Sequence, residues 1–163
     1  MPRALIIGGS LGGLFAANLL QRAGWDVEVF EQSAEALAGR GAGIITHPDL
    51  FDALARIGIA TGDGIGVDIE GRVAFGRDGA VLGTLPVRQC LTTWGRLHEL
   101  LLGALPAARY HLGHACSGIT QDADGVTAHF RNGASARGDL LVGADGIRSA
   151  VRAQLAPDTA PRY

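Results

Sequence analysis

An α/β fold, opening on a parallel βαβ unit and continuing into a β-meander, is predicted by three features of this sequence. Arg3–Ile7 is a short apolar run that ends in glycine, the pattern of a buried parallel strand. A helical segment and a second strand follow within the roughly thirty residues that a βαβ unit needs. Beyond Arg109, strand-like runs alternate with Asp124-Gly125 and Asn132-Gly133, the dipeptides of tight hairpin turns.

In order, Arg3–Ile7 is the first strand. Gly12 to Ala23 carries Leu14, Phe15, Ala17, Leu19 and Leu20 at spacings that suit a helix packed closely on a sheet, and Gly24 stops it. Asp26 to Glu31 alternates, with Val27, Val29 and Phe30 apolar, as a second strand. Pro48 to Ile57 predicts a short helix with proline in its first turn and Gly58 beyond its end. Residues 66–75 and 80–85 flank Asp78-Gly79 as a hairpin. Thr93 to Leu105 predicts the strongest later helix, with Trp94, Leu97, Leu101 and Leu105 on one face. Tyr110–His111 then leads into strands at 116–121 and 126–131. Asp139 to Val142 reads as a last buried strand, and a helix is expected from near Arg148.

Composition narrows the class. In 163 residues, 47% are apolar and 18% charged, which is a globular balance, and a net charge of −2 gives no reason to expect a nucleic acid or an anionic membrane as partner. The run from Leu5 to Leu20 is nearly uncharged, but it contains four glycines and is too short to span a bilayer. Cys90 and Cys116 lie far apart without metal-ligand spacing, so a reduced, cytoplasmic protein is expected. Strand alternation would put His114 and Cys116 on one face and His111 on the other, so no metal is expected there.

The most informative constellation is Gly8-Gly9-Ser10-Leu11-Gly12-Gly13 with Glu31 at the end of the second strand. A strand-to-helix turn that receives a pyrophosphate must have small or absent side chains, and the helix N-terminus then offers free N–H groups and a positive dipole end. In the GxGxxG register Gly8 and Gly13 are the outer glycines and Ser10 replaces the middle one. An acid about 20 residues beyond the turn accepts from ribose hydroxyls, and a carboxylate there disfavours a 2′-phosphate. The antiparallel hairpins that follow, in place of a crossover helix to a third parallel strand, point to an FAD-binding domain of the glutathione-reductase type.

Three fragments occur in order: Ala4 to Leu14, Gly39-Arg40-Gly41-Ala42-Gly43-Ile44, and Gly143-Ala144-Asp145-Gly146-Ile147-Arg148-Ser149-Ala150-Val151-Arg152. Together they resemble the flavin-dependent aromatic hydroxylases that include p-hydroxybenzoate and salicylate hydroxylases. The Gly-Gly-Ser turn and Thr93-Trp94 look most similar to the dihydroxypyridine hydroxylase branch. The resemblance covers the whole chain and implies an FAD-dependent, NAD(P)H-using monooxygenase acting on a small aromatic or heteroaromatic substrate.

The resemblance also implies roles. Ser10, Leu11 and Gly12 would line the pyrophosphate, with Gly8, Gly9 and Gly13 shaping the turn, and Glu31 with Gln32 would hold the adenosine ribose. Arg40, Gly41, Ala42 and Gly43 would lie along the flavin side. The backbone near Cys116 would border the adenine, and Asp145-Gly146 would support the pyrophosphate region while also suiting a helix cap. Trp94 stands where many relatives carry an FAD-contacting arginine, and Arg96 is the candidate substitute.

Residues 1–65 and 93–156 are thus expected to form the FAD/NAD(P)-binding domain. Residues 66–92 would be strands of a partial substrate-domain sheet, and 157–163 a linker to a missing C-terminal half. The fragment alone is expected to bind FAD weakly, to lack hydroxylation, and to self-associate through its unpartnered strands. Its catalytic residues are unknown. Another FAD oxidoreductase, such as a halogenase or a geranylgeranyl-type reductase, and a non-catalytic nucleotide-binding fragment remain alternatives.

Overall fold

A computed structural model describes residues 1–37, 39, 41–62 and 64–159. In chain order its elements are β1 (Arg3–Ile7), α1 (Leu11–Arg22), β2 (Asp26–Phe30), β3 (Gly43–Ile45), α2 (Pro48–Arg56), β4 (Val67–Phe75), β5 (Val81–Thr93) and α3 (Trp94–Gly103). They continue with β6 (Tyr110–His111), β7 (Cys116–Asp122), β8 (Gly125–Phe130), β9 (Ser135–Gly138), β10 (Leu140–Gly143) and α4 (Ala150–Leu155). The chain divides into two compact units, one of Met1–Ala38 with His98–Tyr163 and the other of Gly39–Leu97. No helix among the described residues is long and apolar enough to cross a membrane.

In the first unit β10, β1, β2 and β6 form a parallel sheet in that order. β1 lies at its centre, with Ile6 paired to Val29 on one side and to Val142 on the other. A strand in that position is covered on both faces, and Ala4 to Ile7 are at most 2% exposed. Leu5 and Ile7 face β7, β8 and β9, an antiparallel meander, where they join Phe30, Ile119, Val126, Ala128 and Phe130 in one core. Ile6 points the other way, toward Gly13 of α1. Helix α1 buries Leu14 and Ala17 and also Asn18, whose side-chain amide donates to the carbonyls of Leu14 and Leu101 at 2.9 Å each. The helix ends where expected, with Gly24 at φ 85°.

Three expectations change here. Tyr110–His111 does not simply lead into the meander: it is the fourth strand of the parallel sheet, beside β2. A third parallel strand after β2 therefore exists, and the antiparallel hairpins do not stand in its place. Two residues are too short to show a buried-strand pattern, so only the pairing reveals it. Second, His111 and His114 are not kept apart by alternation. The chain turns at Gly113 (φ 71°), and both rings pack on Phe30 with their centroids 5.8 Å from each other. Third, the stretch after Asn132-Gly133 holds a further strand, β9, paired antiparallel with β8. Gly138 at its end can only be glycine, since a Cβ would lie 2.9 Å from the Arg3 carbonyl oxygen.

The second unit is a sheet of order β3-β5-β4 with the short helix α2. The hairpin turns at Asp78-Gly79 as expected, with Gly79 at φ 81°. Strand β5 is far longer than the predicted 80–85, because it runs through Pro86 to Thr93. Proline cannot donate to a ladder, and Pro86 sits beside a register shift between Ile69 and Gly71 that accommodates it. The three-residue β3, not expected from the pattern, forms by pairing with Leu91–Thr93. Helix α3 starts at Trp94 rather than Thr93, whose hydroxyl oxygen accepts from the Arg96 N–H at 3.1 Å as a cap would.

Candidate cofactor site

The glycine turn joins β1 to α1, and Gly8, Gly9 and Gly13 in it are each fixed by a different neighbour. Gly8 has φ 112°, and a Cβ on it would lie 2.2 Å from the Ala144 carbonyl oxygen. A Cβ on Gly13 would lie 1.8 Å from the Gly8 carbonyl oxygen and 3.3 Å from Ile6, so this glycine lets the helix seat against the strand. A Cβ on Gly9 would meet the Tyr110 hydroxyl at 2.1 Å. Gly12 differs: a Cβ there meets nothing within 4 Å, so the backbone is open on that side. Ser10 occupies the helix N-cap position in extended conformation (φ −81°, ψ −176°), and its hydroxyl makes no capping bond. The first-turn N–H groups at Leu11 and Gly12 have no partners within their own helix, and Ser10 supplies none. A bare, open helix N-terminus behind a glycine-rich turn fits the pyrophosphate of a dinucleotide such as FAD.

Glu31 closes this turn from below. It is 6% exposed, and its Oε2 accepts from the Gly9 N–H at 2.8 Å while Oε1 accepts from the Ser33 N–H at 2.9 Å. The carboxylate at the end of β2 is thus a brace for the glycine turn, a role that its spacing alone does not disclose. Gln32, next to it, is exposed.

Two residues that the sequence does not single out complete the brace. The Tyr110 hydroxyl donates to the Gly9 carbonyl oxygen at 3.0 Å, and His98 Nε2 lies 3.1 Å from the same oxygen. A carbonyl only accepts, so Nε2 carries the proton in this contact. Burial, and then the nearby Glu31 carboxylate, push the Tyr110 phenol up to about 12. Neither residue adjoins the turn in sequence, and only the parallel placement of β6 beside β2 brings the phenol under Gly9.

The loop after β10 meets the same turn, with the Ala144 N–H donating to the Ile7 carbonyl at 2.7 Å. Asp145 turns its carboxylate to the start of α4, where Oδ1 accepts from the Ser149 hydroxyl at 2.5 Å and Oδ2 from the Ala150 and Val151 N–H groups at 2.7 and 3.3 Å. The capping role anticipated for it is therefore present, and α4 begins at Ala150, close to the expected start near Arg148. Gly146 takes φ 78° and is exposed. Cys116 opens β7, its thiol donating to the Gly118 carbonyl at 3.5 Å, and burial pushes that thiol up from its ordinary value.

Gly41, Ala42, Gly43 and Arg96 belong to the second unit. Gly41 has φ 104° and packs on Trp94, whose Cβ would lie 2.3 Å from a Cβ at Gly41; the Trp94 N–H donates to the Ala42 carbonyl at 3.0 Å. Gly43 pairs with Thr93. Arg96 Nε donates to the Gly64 carbonyl at 3.0 Å, which ties a loop within its own unit. Arg40 lies outside the described residues. The structure thus brings together Gly8 to Gly13, Glu31 and the Ala144-Asp145 loop. No cluster of three metal-ligating side chains occurs among the described residues.

Comparison with known proteins agrees with this geometry. Residues 2–160 match the model of a family described as FAD binding domain. The 2,6-dihydroxypyridine 3-monooxygenase of Paenarthrobacter nicotinovorans is 33% identical over 94% of this chain and 38% of its own length. The 6-hydroxynicotinate 3-monooxygenase of Bordetella bronchiseptica is 32% identical over 99% of this chain and 45% of its own length. Among solved structures, 2,6-dihydroxypyridine-3-hydroxylase from Arthrobacter nicotinovorans superposes with a TM-score of 0.85 at 32% identity, covering 96% of this chain and 40% of that one. HpxO of Klebsiella pneumoniae, complexed with FAD and uric acid, gives 0.80 at 30% identity, covering 94% and 41%. The chain therefore spans about two fifths of the length of the relatives it matches.

Proposed function

Since this chain belongs to the FAD binding domain family, we propose that it carries the FAD-holding portion of an NAD(P)H-using monooxygenase that hydroxylates a small aromatic or heteroaromatic ring. The observation that carries this reading is the turn itself. Gly8 and Gly13 have no room for side chains, Gly12 is open, and Glu31 holds the peptide between them. Relatives named for hydroxypyridine and hydroxynicotinate substrates favour an electron-rich heteroaromatic ring.

In this reading the N–H groups of Ser10, Leu11 and Gly12 bind the pyrophosphate, aided by the α1 dipole. Glu31 accepts from the adenosine ribose through the lone pairs left by Gly9 and Ser33, and Cys116 borders the adenine. Asp145 keeps the loop at Ala144 pressed on Gly8 by anchoring it to α4. Gly41 to Gly43 and Arg96 serve the flavin side, and β4 with β5 supplies strands of the substrate sheet. Bound FAD supplies the redox chemistry by which one atom of dioxygen enters the ring and the other leaves as water, at the expense of one NAD(P)H. No catalytic acid or base is assigned among these residues.

The test is equilibrium titration with FAD, read by flavin fluorescence, followed by mixing of the FAD-saturated protein with NADH and 2,6-dihydroxypyridine under air. Weak but saturable FAD binding without hydroxylated product is the expected result for these 163 residues. Absence of any saturable flavin binding would contradict the reading.

A further inference from the structure

We propose that Tyr110 and His98 are positioning residues that aim and strengthen the Ser10 N–H as a donor to the cofactor's pyrophosphate. The inference rests on the FAD reading above and goes beyond it, because neither residue needs to touch the cofactor.

The Gly9 carbonyl and the Ser10 N–H belong to the same peptide unit, and no peptide bond among the described residues is cis. In a planar trans unit the C=O and N–H point in opposite directions. The Gly9 carbonyl is drawn to one side by the Tyr110 hydroxyl at 3.0 Å and by His98 Nε2 at 3.1 Å. The Ser10 N–H is thereby projected to the other side. The preceding peptide is pinned as well, since the Gly9 N–H donates to Glu31 at 2.8 Å. Both units that flank the Gly9 Cα are thus held, and glycine, otherwise the most pliable residue, is left with one orientation.

The two donors also act electronically. Hydrogen bonds to a carbonyl polarise the amide, so the Ser10 N–H becomes a stronger donor than one whose carbonyl faces water. His98 is 5% exposed and Tyr110 is partly buried, so these bonds lie where solvent competes weakly. The arrangement explains the doubled glycine as well. Gly9 is not one of the outer glycines of the motif, and it is glycine here because the phenol of Tyr110 occupies its Cβ position.

The test uses Tyr110→Phe, which removes only the hydroxyl, together with His98→Gln, which keeps a donor, and the double variant Tyr110→Phe/His98→Leu. Affinities for FAD, ADP and adenosine are measured on the 163-residue protein, and the Ser10 amide resonance is followed by 15N-edited NMR without ligand. Tyr110→Phe is expected to weaken FAD and ADP by about three- to tenfold, the worth of one hydrogen bond. Adenosine, which lacks phosphate, should bind unchanged, the Ser10 amide proton should shift upfield, and His98→Gln should retain most of the ADP affinity. The double variant should lose more than Tyr110→Phe alone. Equal losses for ADP and adenosine, or wild-type ADP affinity in Tyr110→Phe, would overturn the inference. If the unsubstituted protein binds neither FAD nor ADP, the cofactor reading itself falls, and that outcome is distinguishable from failure of the variant alone.

Discussion

Strand β1 and the β4–β5 hairpin both carry large apolar side chains, yet Ala4 to Ile7 are at most 2% exposed while Val67, Phe75 and Leu82 are 69, 64 and 73% exposed. The first lies at the centre of a four-stranded parallel sheet with α1 and the meander on its faces. The second belongs to a three-stranded sheet in which β4 is an edge. The difference shows where this chain can hold atoms still. A turn that springs from β1 inherits the rigidity of a fully packed strand, and this is where the glycine cradle sits. An apolar hairpin at an edge gives no such anchorage and is a surface prone to association.

The packed region is most vulnerable at Gly13. A Cβ there would lie 1.8 Å from the Gly8 carbonyl oxygen, so Gly13→Val must part α1 from β1. Loss of flavin loading and about 1–3 kcal/mol of stability are expected, from absorbance and thermal unfolding. A valine variant that retains stoichiometric flavin would refute the role given to the turn.

Glu31→Ala comes next. It leaves the Gly9 and Ser33 N–H groups without their acceptor, and FAD binding should weaken by about 1–3 kcal/mol in fluorescence titration. Unchanged affinity would remove both the bracing and the ribose roles.

A smaller effect concerns pH. The folded protein holds the Tyr110 phenol protonated up to about 12, whereas an unfolded chain releases that proton near 10. Between those values the unfolded state binds fewer protons, so this group's contribution to stability is complete below about pH 10 and is lost as pH rises toward 12. Denaturant midpoints should fall across that window, and the fall should be shallower in Tyr110→Phe. The smallest effect is expected in the hairpin. Phe75→Ser and Leu82→Ser remove exposed side chains, so stability should stay within about 0.5 kcal/mol while self-association in sedimentation declines.

How much of this was legible follows from what is local. The strand, turn and helix from Arg3 to Arg22 announce themselves because glycine spacing, apolar period and the stop at Gly24 all lie within one short segment. Glu31 was legible as an acid at the end of β2, but its grip on Gly9 was not, because spacing does not say which way a carboxylate turns. Tyr110 and His98 carried no signal, since their partner lies about a hundred residues earlier and the two-residue β6 has no readable pattern. The length of β5 was not legible, because Pro86 cannot donate to a ladder and only the register shift between Ile69 and Gly71 accommodates it. The capping role of Asp145 was visible in sequence, as the short polar residues before α4 imply.

In the proposed function the turn from Gly8 to Gly13 holds the adenosine diphosphate end of FAD. Competition binding addresses it most directly, with FAD, ADP and FMN titrated against the same protein. The account predicts that ADP displaces FAD and that FMN, which lacks the adenosine end, binds far more weakly than FAD. FMN binding as tight as FAD, or FAD binding that ADP does not displace, would contradict it.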